Sequence, residues 1–301
     1  MARRKRKGSS GISLLTFAIL CMAVGYILND ILDGTYALEE KQVVPVAKIE
    51  NPDISSHYID VGQGDSIFIE LPNKECMLID AGERDYGKKV TQYIKQLGYN
   101  KIDYLVATHP HTDHIGGMRE VVNNFDIGYI YMPKVTANTS TYINLLKSID
   151  NKGLKIKTAK AGVDIINNDD YKISIIAPNS DKYDDLNNYS AVIKLTYKNI
   201  NYLYMADAEK LSEEEIKTDV KADIIKVGHH GSLSSSSLAF IKKVKPSYAI
   251  IQVGHDNSYG HPNKNILNRY DVIGAKVYRT DLNGNIVVST NGTEVSIASE
   301  K

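Results

Sequence analysis

The 301-residue sequence contains eight histidines. Three of them, His109, His111 and His114, fall with Asp113 inside the stretch THPHTDHIGG. Imidazole and carboxylate groups at that density suit a divalent cation, since one supplies a nitrogen lone pair and the other an oxygen, and zinc, manganese and iron accept both. The spacing divides the four residues. IDYLVATHP reads as a strand ending near Thr108, so His109 and His111, two apart in extended backbone, point the same way. Asp113 and His114 follow one turn later, at the start of a helix, and aim at a neighbouring position. The loop thus offers one cation a His pair and a second cation an Asp–His pair. Gly116 and Gly117 keep side chains out of the way and let the backbone bend tightly.

Other residues of the same chemical types stand where strands end. Asp207 closes INYLYMAD; alone it reads as a helix cap, but beside the histidines it is the natural carboxylate to bridge two cations. His229 and His230 follow a strand in KVGHHGS, and His261 lies in the turn YGHP. Two cations roughly 4 Å apart activate a shared water at neutral pH. Asp113 and Asp207 would orient that nucleophile. One of His229 and His230 would be a ligand and the other, with His261, a donor to the leaving group; His229 is taken as the ligand and His230 as the donor. The run GSLSSSS, residues 231–237, is either a set of amide and hydroxyl donors for an anion or a plain serine linker. His57 is expected to pack rather than bind a cation, and His255 has no assigned role.

The elements that position these residues are short strands alternating with helices. HYIDVGQGDSIFIELP reads as strand, tight glycine turn and strand. ECMLIDAG is a buried strand. GKKVTQYIKQLGY carries Val90, Tyr93, Ile94 and Leu97 at helical spacing with Gly98 as a stop. IGGMREVVNNF, SSSLAFIKKVKP and NKNILNRYDVIG read as helices. YKISIIAP, AVIKLTY, INYLYMAD, ADIIKVGHH, YAIIQVG and AKVYRTD read as strands. The interleaving argues for an α/β protein.

The ordered motifs DVGQGDSIFI, LIDAG, HPHTDHIGGM, ADAE, VGHHGS, YGHP and YRTDLNG resemble the metallo-β-lactamase superfamily. Within it they are similar to the extracellular hydrolase domain of the DNA-uptake competence protein ComEC and its stand-alone relatives, over residues 56–290. The resemblance implies an αββα four-layer sandwich with the site at one edge of two sheets. It implies a two-cation centre of His109, His111, Asp113, His114, Asp207 and one of His229 and His230, zinc foremost and manganese next. It makes Asp80 an orienting residue behind the ligands. The chain departs from the broader pattern in DDLNNYSAVIKL, where a further ligand histidine is expected and Asn188 or Ser190 would line the gap. Ala206 replaces a common glycine before Asp207, and Ser258 replaces an arginine before YGHP.

Charge and hydropathy bound the partners. The chain has 36 basic and 36 acidic residues. Arg3, Arg4, Lys5, Arg6 and Lys7 precede an apolar run, so the rest holds 36 − 5 = 31 basic against 36 acidic. That balance argues against a processive nuclease on long DNA; the resemblance makes DNA a substrate to expect, and a small phosphodiester such as a phosphocholine ester or a nucleotide stays open beside it. The run from Ile12 to Leu28 behind a basic flank reads as a signal anchor, which places the remainder outside a membrane; a cleaved signal would make it secreted. The expected organisation is residues 1–30 as flank and anchor, 31–55 as linker, and 56–301 as a hydrolase domain. The expected activity is metal-dependent phosphodiester hydrolysis. Its rivals are hydrolysis of small esters, lactones or β-lactams, and a non-catalytic surface module that binds DNA. Cys21 and Cys76 form no CxxC pattern.

Overall fold

A computed structural model describes residues 49–301. The expected anchor of residues 1–30, and the expected linker up to residue 48, lie outside the described residues. Among the described residues no helix is long and apolar enough to cross a membrane.

Two mixed sheets face each other. The first contains β1 (Ile54–Tyr58), β2 (Ile67–Glu70), β3 (Cys76–Ile79), β4 (Lys101–Val106), β5 (Asp126–Met132) and β6 (Ile156–Thr158). The second runs through β7 (Val163–Asn167), β8 (Tyr171–Ala177), β9 (Val192–Tyr197), β10 (Ile200–Tyr204), β11 (Ile224–Lys226), β12 (Tyr248–Ile251) and β13 (Lys276–Arg279). A C-terminal hairpin, β14 (Ile286–Thr290) and β15 (Val295–Ser299), returns to the first sheet. The orders are β15-β14-β1-β2-β3-β4-β5-β6 and β13-β12-β11-β10-β9-β8-β7. β1 begins at Ile54, two residues before the expected domain start, because Ile54 pairs with Thr290 of β14 and is fully buried.

Side-chain alternation builds the layers. On β1, Ile54 and Tyr58 enter the core between the sheets, while His57 on the other face meets Tyr93 of helix α1 (Gly87–Gln96). The inter-sheet core continues with Ile67, Ile69, Ile173, Ile193 and Tyr202. Outside the first sheet, Phe68 and Leu78 pack with Val90 and Ile94 of α1. Met118 and Val121 on α3 (Met118–Asn124) and Leu145 on α4 (Ser140–Asn151) complete that cluster; the one-turn helix α2 (Thr112–Ile115) precedes α3. Outside the second sheet, Leu203 and Ile251 pack with Phe240 of α6 (Leu238–Val244) and Tyr270 of α7 (Lys264–Val272). The short α5 (Lys210–Glu215) and α8 (Thr280–Asn283) follow β10 and β13. The result is the αββα arrangement that the motifs imply.

In both sheets the strands preceding the loops of interest, β3–β4 and β10–β11–β12, are parallel. Their carboxyl ends therefore open on one edge of the sandwich, where ligand sites of parallel sheets form.

Candidate metal centre

At the first sheet's edge, β4 delivers Thr108 and His109. Asp80, just after β3, accepts from the Thr108 amide at 2.9 Å and the Thr108 hydroxyl at 2.5 Å, and lies 2.8 Å from His114 Nδ1. This fully buried carboxylate sets the His114 ring so that Nε2 points into the edge, the arrangement expected of an orienting residue. Gly116 and Gly117 take ordinary helical φ values, so the expected tight bend is not their role. A Cβ on Gly117 would lie 2.3 Å from the Ala81 carbonyl oxygen, and one on Gly116 2.4 Å from that of Thr112. Close backbone approach is what excludes a side chain there.

The second sheet contributes Asp207 after β10 and the His229–His230 pair after β11. Asp207 does not cap α5, whose N-cap is Glu209; its amide donates to Ser190 Oγ at 3.2 Å. Asp80, Ala206, His229 and His230 all have φ near +50° (57°, 47°, 48° and 51°). Left-handed backbone costs non-glycine residues roughly 1–2 kcal/mol each, and such residues cluster at functional sites. The positive φ at Ala206 explains why glycine suits that position.

These loops bring together two ligand groups that share Asp207. Ligand atoms of Asp113, His114, Asp207 and His230 lie within 4.8 Å of one another, and so do those of His109, His111 and Asp207. His114 Nε2 is 3.2 Å from Asp207 Oδ2, and His230 Nε2 is 3.3 Å from Asp113 Oδ2. His230 Nδ1 is held 2.9 Å from the Gln252 carbonyl, which turns Nε2 inward. His114 Nε2, His230 Nε2 and Asp207 Oδ1 are buried without a well-formed hydrogen bond. Buried polar atoms in that state are costly, and a shared cation satisfies all three, so the residues fit a metal.

His229 stands outside both groups. Its Nε2 is 3.8 Å from Asp207 Oδ2, and its Nδ1 is 3.0 Å from Ser234 Oγ. Of the two neighbours it is thus His230 that the geometry groups with Asp113, His114 and Asp207, because the Gln252 carbonyl fixes the second ring and not the first, while both rings line the cavity. His261 packs edge-on against His229, with ring centroids 5.7 Å apart. His57 is paired with Glu70 and Tyr93 on the far face of the first sheet, and His255 is exposed beside Asp256.

Electrostatics follow from this crowding. Burial lowers the proton affinity of His230, but Asp207 and Asp113 outweigh it and raise its pKa to about 9. His114 is raised in the same way by Asp207, Asp113 and Asp80 against burial. Burial pushes Asp113 and Asp207 upward, and the His114 and His230 imidazoles pull both well below the usual carboxylate range. His109 is pushed down by burial and by the neighbouring His114. Burial and His229 bring His261 down to about 4, so its ring is neutral at pH 7.

Several residues here were not anticipated. Asp65, in the loop read as a tight turn, forms an ion pair with Lys226. Lys226 is fully buried beneath the centre, donates to the Ala206 carbonyl at 3.0 Å and lies 3.9 Å from Asp207 Oδ1. Gln252 Nε2 donates to the Ile59 and Ser66 carbonyls at 3.0 and 2.9 Å, tying β12 to the Asp65 loop. A lysine at the end of an apolar strand, just before KVGHHGS turns, was the available signal. In the stretch lacking a histidine, Asn188 bonds Glu209 at 3.1 Å and turns toward α5. Ser190 backs His109 at 3.4 Å. It is Asn187 that lines the cavity, with its Oδ1 buried and unpartnered. The donors at the helix start of the serine run are already used within the chain: the Ser236 and Ser237 amides donate to Glu213, and Ser235 Oγ to the Gly228 carbonyl. It is equally not a flexible linker, since Ser235 and Ser236 are buried.

Residues 59–255 match the family described as the metallo-beta-lactamase superfamily. ComE operon protein 3 of Bacillus subtilis (strain 168) is 30% identical over 248 residues, 76% of this chain and 32% of that protein. Competence protein ComA of Neisseria gonorrhoeae is 28% identical over 232 residues, 75% of this chain and 30% of that protein. The chain thus spans about a third of the length of these curated relatives. The solved structure of CmlA, a diiron β-hydroxylase from Streptomyces venezuelae, aligns with a TM-score of 0.53 at 12% identity, covering 80% of this chain and 55% of that one. At that identity the likeness is one of fold.

Proposed function

The chain belongs to the metallo-β-lactamase superfamily, and on that premise we propose that it is a phosphodiesterase working with two divalent cations, zinc foremost and manganese next. The observation that carries the reading is the pair of ligand groups meeting at Asp207, with His114 Nε2 and His230 Nε2 buried and unsatisfied between carboxylates. The competence proteins among its relatives support a nucleic-acid substrate over a lactone or β-lactam.

His109, His111 and Asp207 would hold one cation, and Asp113, His114, Asp207 and His230 the other. When bound, such cations lower the pKa of water and offset negative charge developing on phosphorus-bound oxygen. The chain's own groups do the positioning. Asp113 and Asp207 present carboxylate oxygens to the attacking water and hold it in line. His229, anchored through Nδ1 by Ser234, presents Nε2 toward the leaving oxygen as a hydrogen-bond donor. His261, neutral at pH 7, donates a hydrogen bond from its ring N–H rather than a full proton.

The proposal includes the membrane: residues 1–30 anchor the chain and the hydrolase domain lies on the outer side. The motivation is the pentabasic flank before the apolar run Ile12 to Leu28. Protease accessibility of the domain on intact cells tests it, and a protected domain would refute it.

The activity is tested on the metal-loaded protein with bis-p-nitrophenyl phosphate. Two equivalents of cation and turnover abolished by Asp207→Ala are expected. No bound cation at neutral pH, or rapid nitrocefin or lactone turnover beside an intact phosphodiester, would overturn it.

A further inference from the structure

The cavity over the ligand groups has a volume of about 370 Å³ and is lined by Asp113, Asp207, His229, His230 and His261 on one side and by Tyr259 at its rim. That size suits a small ligand or one nucleotide unit and not a duplex. Among the described residues no lysine or arginine lines it, so beyond the cations of the centre a substrate's phosphate gains no lysine or arginine contact there, and selectivity among phosphodiesters falls to the groups at the rim.

Tyr259 is the group placed to supply it. Its side chain is 70% exposed, against 48% for Tyr129. Its ring stacks on His261 with centroids 5.8 Å apart and planes inclined by only 21°. His261 in turn contacts His229 at 5.7 Å, and His229 Nε2 lies 3.8 Å from Asp207. A row of flat rings therefore leads from the bridging carboxylate to the rim. The row is braced: Asn257 Nδ2 donates to the Gly254 and His261 carbonyls at 2.9 and 2.6 Å, and the His261 amide donates to Asn257 Oδ1 at 3.0 Å. A tyrosine ring has only two side-chain torsions to fix, so a ligand that stacks on it costs little conformational entropy.

We infer that Tyr259 is a specificity-determining residue whose outer face stacks on the nucleobase of a nucleotide-type phosphodiester. The inference rests on the phosphodiesterase reading and deepens it by naming the residue that would hold the base of a nucleotide-type substrate. A phosphate seated over Asp207 carries its sugar past His229 and its base against Tyr259, extending the stack. A quaternary ammonium headgroup would ask for a cage of several ring faces, and here one face of Tyr259 is already occupied by His261.

The test is equilibrium binding to the metal-loaded protein, measured by calorimetry with thymidine 5′-monophosphate, phosphocholine and inorganic phosphate. Base stacking on an aromatic side chain predicts at least about a tenfold preference for the nucleotide over phosphate. Tyr259→Ala should reduce nucleotide affinity to that of phosphate, and Tyr259→Phe should retain the preference. Equal affinities in the unaltered protein would overturn the inference. So would phosphocholine binding as tightly as the nucleotide, or a preference that survives Tyr259→Ala. These binding constants do not depend on turnover, so failure of the phosphodiesterase reading shows separately, as an inert bis-p-nitrophenyl phosphate.

Discussion

His114 and His230 are each surrounded by carboxylates and each has Nε2 aimed at Asp207. In the cation-free protein those carboxylates keep protons on the imidazoles: His230 titrates at about 9 and His114 is raised as well. A cation needs the Nε2 lone pair, so its binding must expel the protons present at neutral pH. The sign follows. Affinity for the group of Asp113, His114, Asp207 and His230 rises with pH; release of the His230 proton alone contributes about tenfold per unit, a contribution that levels off above about pH 9. Calorimetric titration in buffers of different ionisation enthalpy reads this directly, as heat that tracks the buffer. A buffer-independent heat between about pH 6 and 8 would show that the imidazoles are already neutral. Proton exchange of this kind also explains how the chain keeps three buried carboxylates, Asp65, Asp80 and Asp207, beside the half-buried Asp113: Lys226 and the protonated imidazoles balance them until cations arrive.

Between β1 and β2 the chain passes beneath the loop that carries Asp113. Gly64 there has φ 141°, and a Cβ would stand 2.2 Å from the Asp113 carbonyl oxygen. The Asp65 amide also donates to that carbonyl, at 3.2 Å. Gly64→Ala should therefore displace Asp113 and cost about one equivalent of bound cation, read by elemental analysis, while the far-ultraviolet circular dichroism stays the same. Gly98→Ala separates backbone strain from displacement. Gly98 has φ 92° with no atom within 4 Å of the added Cβ, so it should lose about 1 kcal/mol of stability and no cation. Loss of cation in both variants would refute the displacement argument. The same stretch marks where reading from sequence ends. The candidate ligands packed into HPHTDH, which the fold does gather, were legible because residue type and strand-then-helix spacing are local. The alternating strands β8 to β13 and helices α1, α6 and α7 were legible for the same reason. β5 was hidden because its exposed half and Gly128, where a Cβ would stand 2.6 Å from the Asp103 carbonyl oxygen, blur the alternation. β6 is three exposed residues, and β14–β15 is defined by pairing with β1 across the length of the domain. Asp65, Lys226 and Asn187 depend on contacts between distant segments. The choice between His229 and His230 turns on a carbonyl of Gln252 that no local pattern announces.

The cation centre joins two halves of the molecule that otherwise meet mainly through apolar packing. His109, His111, Asp113 and His114 belong to the edge of the first sheet, Asp207 and His230 to that of the second. Polar ties between the halves include Ser56 Oγ to Tyr204 OH at 2.7 Å, Gln252 to the Ile59 and Ser66 carbonyls, and Lys226 to Asp65. Cations shared through Asp207 would add bonds that exist only when the two sheets are docked, so binding favours the folded state by mass action. At a free concentration a hundred times the dissociation constant, one site contributes about 2.7 kcal/mol. For a domain of this size each kcal/mol moves the midpoint by roughly 2–4 °C. Chelation should therefore lower the melting temperature by about 5–10 °C in a scanning calorimeter, with the transition still single because the inter-sheet core of Ile67, Ile173, Ile193 and Tyr202 is untouched. Re-addition of zinc should restore it, and Asp207→Ala, which removes the shared ligand, should make the midpoint insensitive to chelator. A chelator effect that persists undiminished in Asp207→Ala would mean that the stabilising cation sits elsewhere and that the two ligand groups do not act as one centre.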